Sequence, residues 1–230
     1  MDNSEEHSPG LQQFAHLQEQ LDSNHCELRI IQGQGNVGYG AGQNLVLLKS
    51  AATYSLLLNP DIVLDPEFLS KGLAYLQENP EVAMVSPGAS YEDGRKQYLC
   101  KRYPSVLIFL LRGFMPGFVQ KLFARKLARF EMQDLDETVA TKNIPIVSGC
   151  CMLGRTEALQ AVQGFDEDYF LYFEDFDLSL RLGKTHSLAY LPAIRIVHHG
   201  GNSANKGLKH IRLFISSGIR FFNTHGWRWF

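Results

Sequence analysis

The run YSLLLN at residues 54–59 narrows the fold more than any other stretch of this chain. It is too short for a buried helix, lacks apolar–polar alternation and closes on Pro60. Such a run reads as a strand covered on both faces, of the parallel-sheet kind. It ends in an Asn59-Pro60-Asp61 turn, and a second aspartate follows at Asp65. Asp65 is read as the N-cap of a helix over residues 65–79, with Pro66 in the first turn, Glu67 favoured by the helix dipole and Asn79-Pro80 as the stop. VAMVSP (82–87) follows as another buried strand. Upstream, residues 11–21 carry amphipathic helical spacing, CELRIIQ (26–32) reads as a short strand, and AGQNLVLLKSAAT (41–53) as a helix. Residues 89–142 lose this rhythm and read as an irregular excursion over one face. Order returns with IPIVSGCCMLGR (144–155), a helix at TEALQAV, a second helix at EDFDLSLRLG, and a strand through SLAYLP and IRIVHH. This alternation predicts an α/β fold with a mostly parallel sheet flanked by helices, in a single domain over 1–230.

Composition excludes several classes. The chain of 230 residues is 45% apolar and 20% charged, as expected of one sizeable globular domain. Its four cysteines, Cys26, Cys100, Cys150 and Cys151, show no CxxC spacing, which argues against a disulfide framework or a zinc site and fits a reducing cytoplasm. Met1 is followed by DNSEEHSPG, so no signal peptide is expected, and the run at 105–111 is too short to cross a bilayer. The net charge of −2 is unevenly spread: residues 178–230 hold eight Lys or Arg and no acid, and residues 101–130 hold seven and no acid. Such faces are either solvated or attract an anionic surface. No nucleic-acid-binding signature accompanies the charge, so nucleic acid is not expected as a partner.

Gly33, Gly35 and Gly38 spell GxGxxG, and Asp61 follows where a dinucleotide fold places its ribose-binding acid. A plain glycine-rich turn is the competing reading. Asn36 and Asn44 bracket the loop and can bond a nucleotide or brace a turn. Asp61, at the carboxyl edge of its strand, points toward the ligand crevice and offers a hard oxygen to a divalent cation.

The stretch GFDEDYFLYFEDFDLSLRL (164–182) places Asp166, Glu167, Asp168, Glu174, Asp175 and Asp177 among six aromatics. Glu174, Asp175 and Asp177 suit the first turn of a helix. The alternative is a general base beside an apolar wall. IVHHGGNS follows, where His198 and His199 end a strand and face opposite ways, so one of them is expected at the site as a metal ligand.

Together these motifs resemble the family-two inverting glycosyltransferases of GT-A fold, and among them the bacterial rhamnosyltransferase-like members. NVGYGAGQN resembles the family's loop beside the nucleotide, and LLLNPD its metal-binding acid motif. The 164–182 stretch resembles the family's GFDExFFxYxEDxDLxxRL, and VHHGGNS its H-x-x-G-x-S. The resemblance implies transfer of a sugar, with rhamnose as the subgroup's example, from a nucleoside-diphosphate sugar such as dTDP-rhamnose to a glycan or lipid-linked acceptor. Asp175 would be the base, with Glu174 and Asp177 orienting. Asp61 and His198 would hold Mg²⁺ or Mn²⁺. Asp2, Asn36, Gly38, Asn44, Asn59 and Asp61 would line the sugar-nucleotide side, and Gly149, Cys150 and Glu174 the acceptor side. Residues 1–88 would form the nucleotide and metal half and 143–230 the acceptor half. Asn-Pro-Asp replaces the usual Asp-x-Asp, so Asn59 offers only a neutral ligand. The family's VDNxS appears as Asp2-Asn3-Ser4, which places the first strand and helix upstream of Met1 and leads to the expectation of an N-terminally truncated enzyme. The alternative is an impaired fragment that only binds a sugar nucleotide or lipid carrier. The expected location is cytoplasmic, with the basic C-terminal helix either docked on the core or resting on an anionic membrane.

Overall fold

The computed structural model describes residue 21 and residues 26–199 and 207–230. The amphipathic stretch at 11–21 and Asp2 lie outside these apart from Leu21. The fold is α/β, and its sheet is mixed. Strands β1 (Tyr54–Leu58), β2 (Ile62–Leu64), β3 (Val82–Ser90), β8 (Cys151–Arg155) and β9 (Ser187–His198) form the order β1-β8-β3-β9-β2. Two short strands sit off this path: β4 (Lys96–Gln97) on β3 and β6 (Thr141–Lys142) on β9. Strands β5 (Cys100–Lys101) and β7 (Ile146–Val147) make a separate ribbon.

The expectation of a mostly parallel sheet is corrected in detail. Among the described residues only β3 and β9 pair in parallel; β1–β8, β3–β8 and β2–β9 are antiparallel. Both β1 and β3 run opposite to β8, so they point the same way, as a strand–helix–strand unit requires. Strand β8 is inserted between them, and this insertion has no local sequence signal. Strand β1 stands at the end of the described order, half-buried except for Leu57, rather than at the sheet's interior. The fully covered strand is β3, whose residues from Val82 to Pro87 are all buried. Residues 26–32 form no strand.

Helix α1 (Tyr39–Leu47) follows the glycine loop, and α2 (Phe68–Glu78) joins β2 to β3. The Asp65 carboxylate accepts from the Glu67 amide at 2.9 Å in the turn before α2, but the helix opens later than expected, at Phe68, with Glu67 at its N-cap and no side-chain cap. The stretch 89–142 is more regular than its sequence suggests, with α3 (Val106–Phe114), α4 (Gly117–Leu122) and α5 (Ala124–Phe130). Helices α6 (Thr156–Ala161), α7 (Glu174–Leu182) and α8 (Leu208–His225) complete the described chain.

Successive strand residues point to opposite faces and divide the core in two. Met84 and Met152 pack with Leu47, Leu159, Phe165 and Leu178, while Val85 and Leu153 pack with Phe68, Leu76 and Ile196. A third cluster is aromatic: Phe109, Phe173, Phe214, Phe221 and Phe222 join α3, α7 and α8. Helix α8 is therefore docked. Ser217 donates to the Leu171 carbonyl at 2.8 Å, and a Cβ at Gly218 would meet the Phe173 ring at 3.3 Å.

Candidate active site

The Asp61 turn after β1 is pinned from two sides. The Asn59 amide donates to the Cys150 carbonyl at 2.9 Å, and the His199 amide to the Asp61 carbonyl at 3.1 Å. Pairing of β2 with β9 sets Ile62 opposite His198, bringing His198 Nε2 within 3.5 Å of Asp61 Oδ2. His199 faces away, on Glu92 at 2.6 Å. His198 is thus the histidine that joins Asp61.

Gln97, absent from the sequence expectations, fixes the state of that imidazole. Its amide nitrogen donates to the His198 carbonyl at 2.7 Å, which turns its oxygen onto His198 Nδ1 at 2.8 Å. A carbonyl only accepts, so the Gln97 amide has one orientation, and Nδ1 must carry the proton. In the neutral ring Nε2 then offers a lone pair toward a carboxylate oxygen. Among the described residues no group of three or more metal-ligating side chains exists. One carboxylate and one imidazole nonetheless fit a hard divalent ion that takes its remaining ligands from phosphates and water.

Helix α7 opens on Glu174-Asp175, immediately after Tyr172 and Phe173, which hold φ of +71° and +68°. Two consecutive non-glycine residues in the left-handed region store strain just before Glu174 and Asp175. Asp175 Oδ2 accepts from the Gly149 amide at 2.8 Å and Oδ1 from the Phe176 amide at 2.9 Å. Tyr39 donates to the Gly149 carbonyl at 2.5 Å. A side chain at Gly149 would put Cβ 3.2 Å from Asp175 Cβ, so glycine permits this approach. The adjacent residues Gly149 and Cys150 therefore hold Asp175 on one side and the Asp61 turn on the other.

Glu174 is 6% exposed, and its Oε2 has no hydrogen-bond partner. Burial raises the pKa of both Glu174 and Asp175, and the Asp175 carboxylate adds to the rise at Glu174. The Gly149 and Phe176 amides and the Lys101 ammonium oppose the rise at Asp175. Burial favours a proton on Glu174, while the donors around Asp175 favour its charged form. Because the folded pair binds protons that the unfolded chain has released, stability is full below the ordinary carboxylate range and falls as pH rises through the raised pKa values. Glu174→Gln should flatten this decline, seen as a smaller drop in thermal midpoint between about pH 5 and about pH 9.

Lys101 and Tyr39 also escaped the sequence reading. Lys101 donates to the Tyr98 carbonyl, lies 5.8 Å from the Phe130 ring centre, and is pushed down to about 8, chiefly by burial and then by Arg112. Cys150 is pushed up to about 11, first by burial, with both Asp175 and Asp61 adding to the rise. Those two carboxylates therefore bear on the same strip of chain.

Other expected site residues have structural occupations. Asn44 is buried: its amide nitrogen donates to the Phe165 carbonyl at 2.9 Å and Glu167 at 3.0 Å, and its oxygen accepts from the Phe165 amide at 2.9 Å. It braces the acidic loop. Asn36 accepts from the Gly38 amide at 3.2 Å, an Asx turn. Gly38, at φ +87°, lies so close to the acidic loop that a Cβ would come within 2.3 Å of the Phe170 carbonyl. Among the described residues a Cβ at Gly33 or Gly35 would meet nothing within 4 Å, and no strand leads into the GxGxxG run. Asp177 bridges Arg181 at 2.6 Å and His225 at 2.8 Å, tying α8 to α7.

The family model for glycosyltransferase like family 2 matches residues 8–209. The chain belongs to that family. Among curated relatives it is 26% identical over 193 residues to N-acetylglucosaminyl-diphospho-decaprenol L-rhamnosyltransferase of Mycobacterium tuberculosis, a match covering 78% of this chain and 61% of the relative. It is 28% identical over 194 residues to rhamnosyltransferase WbbL of Escherichia coli, covering 80% and 68%. The chain spans about three fifths of the length of the first of these relatives. Its fold is similar to GalNAc-T7, solved with UDP, GalNAc and Mn²⁺, at TM-score 0.59 and 12% identity over 91% of this chain and 39% of that one. It is also similar to S. aureus TarS, at TM-score 0.53 and 13% identity over 95% and 33%. The α/β fold is that of GT-A glycosyltransferases, as the sequence motifs lead one to expect.

Proposed function

We propose that the chain transfers a sugar from a nucleoside-diphosphate sugar to an acceptor hydroxyl by a single inverting displacement, with Asp175 as the base. The observation that supports this is the Gly149-Cys150 strip, which holds the base and the phosphate-side Asp61 at once. Asp175 takes the proton of the acceptor hydroxyl, and the Gly149 amide keeps its carboxylate in place. Burial favours a proton on Glu174. The Lys101 ammonium favours the charged form of Asp175, and the Phe173 wall keeps water from competing with the acceptor. Asp61 and His198 would hold Mg²⁺ or Mn²⁺, which neutralises charge on a departing diphosphate. Asn36, Gly38 and Asn59 lie on the nucleotide side, and Gly149, Cys150 and Glu174 on the acceptor side. The relatives' names support rhamnose as the sugar and a diphospho-lipid as the acceptor. The donor would be dTDP-rhamnose, and the reaction would belong to bacterial cell-surface polysaccharide synthesis on the cytoplasmic side of the membrane. A screen of nucleoside-diphosphate sugars, reading released nucleoside diphosphate, tests this. Release from dTDP-rhamnose above all others is expected, and binding of every donor without release would reduce the chain to a binding module.

A further inference from the structure

Helix α8 has two apolar sides. Phe221 and Phe222 are buried in the aromatic cluster, while Leu208, Ile211, Ile215 and Ile219 recur at spacings of three and four and stand exposed. A helix needs one apolar stripe to join a core, so the second stripe is unspent. Across a groove, α3 faces it with Leu110 and Phe114, and Trp227 closes one end. Leu110, Phe114, Ile215, Ile219 and Trp227 are each 43–48% exposed. Beyond the helix, Trp227 stacks on Phe222 and Trp229 on Trp227, both at 5.2 Å between ring centres, and these are the chain's two tryptophans.

The charge around this face has one sign. Arg112 pairs with Glu131, and Arg220 with Asp166 and Asp168. Lys121, Arg125, Lys209 and Arg212 are exposed and have no carboxylate partner among the described residues. An aliphatic stripe, exposed indoles and unneutralised cations together are the chemistry of a helix lying in an acidic lipid interface. A protein partner would have to bring its own acids to every one of these cations.

We infer that α3, α8 and residues 226–230 form a docking face for an anionic lipid bilayer. Among the described residues no helix is long and apolar enough to cross a membrane, so the contact is peripheral. The groove's floor includes Phe173, the residue before Glu174-Asp175. On the transfer reading proposed above, a lipid-borne acceptor would meet the base without leaving the bilayer. The docking itself stands without that reading.

The test uses the full chain with vesicles of phosphatidylcholine, alone or mixed with phosphatidylglycerol, and needs no sugar. Co-sedimentation with the mixed vesicles is expected, weakening as salt rises, with a blue shift of tryptophan emission from Trp227 and Trp229. The double change Ile215→Glu and Ile219→Glu, at exposed positions, should cut vesicle binding at least about tenfold while leaving the thermal midpoint in place. Lys209→Ala with Arg212→Ala should remove most of the preference for the acidic lipid. Failure to bind mixed vesicles, or equal binding by the Ile215/Ile219 variant, overturns the inference. So does a concentration-dependent dimer that this variant dissociates, since a second copy would then own the face.

Discussion

Asp175→Asn should lower turnover by about 10²–10⁴-fold with little change in the Michaelis constant for the donor, the range lost when a positioned general base is removed. The asparagine oxygen can still accept from the Gly149 amide, which donates to Asp175 at 2.8 Å, so the 149–150 strip should keep its place. Donor binding measured by calorimetry should therefore stay near that of the unaltered protein. A variant that retains turnover would remove Asp175 from the role of base. The comparison with Glu174→Gln sharpens this. That variant keeps a neutral partner beside Asp175 and should retain most activity at neutral pH, with the acid limb of its pH profile little moved.

Asp61→Asn should cost about 10³-fold in transfer, equivalent to about 4 kcal/mol of lost charge stabilisation at the diphosphate. Its direct readout is Mn²⁺ binding followed by electron paramagnetic resonance with dTDP present, which should be nearly abolished. Gln97→Leu should act through His198. Without the amide that donates at 2.7 Å and accepts at 2.8 Å, the imidazole loses its fixed tautomer. Mn²⁺ affinity should fall by about 10–100-fold, the usual loss when the partner of a metal-binding histidine is removed. Unchanged Mn²⁺ binding in both variants would move the cation away from Asp61 and His198.

What the sequence showed and what it hid divide along a physical line. Features set by neighbours in the chain were legible. The acid-rich start of α7 and the opposite facing of His198 and His199 follow from local geometry, and each is found in the structure. Features set by contacts across the chain were not. Gln97 lies 101 residues from His198, Tyr39 lies 110 residues from Gly149, and neither sits in a motif. The strand β1 read as interior because its apolar side chains are also what a strand needs at the end of a sheet when helices cover its faces. Residues 26–32 alternate like a strand, yet no strand pairs with them among the described residues, and β-propensity has no force without a partner. Asn44 and Asp177 carried motif identity into positions where every polar atom is already bonded within the protein.

The central claim is a single displacement with Asp175 on the face opposite the leaving diphosphate, and product stereochemistry tests it most directly. Transfer from dTDP-rhamnose to an acceptor, with the new anomeric centre assigned by nuclear magnetic resonance, should give a configuration opposite to that of the donor. A product with the donor's own configuration would contradict the account.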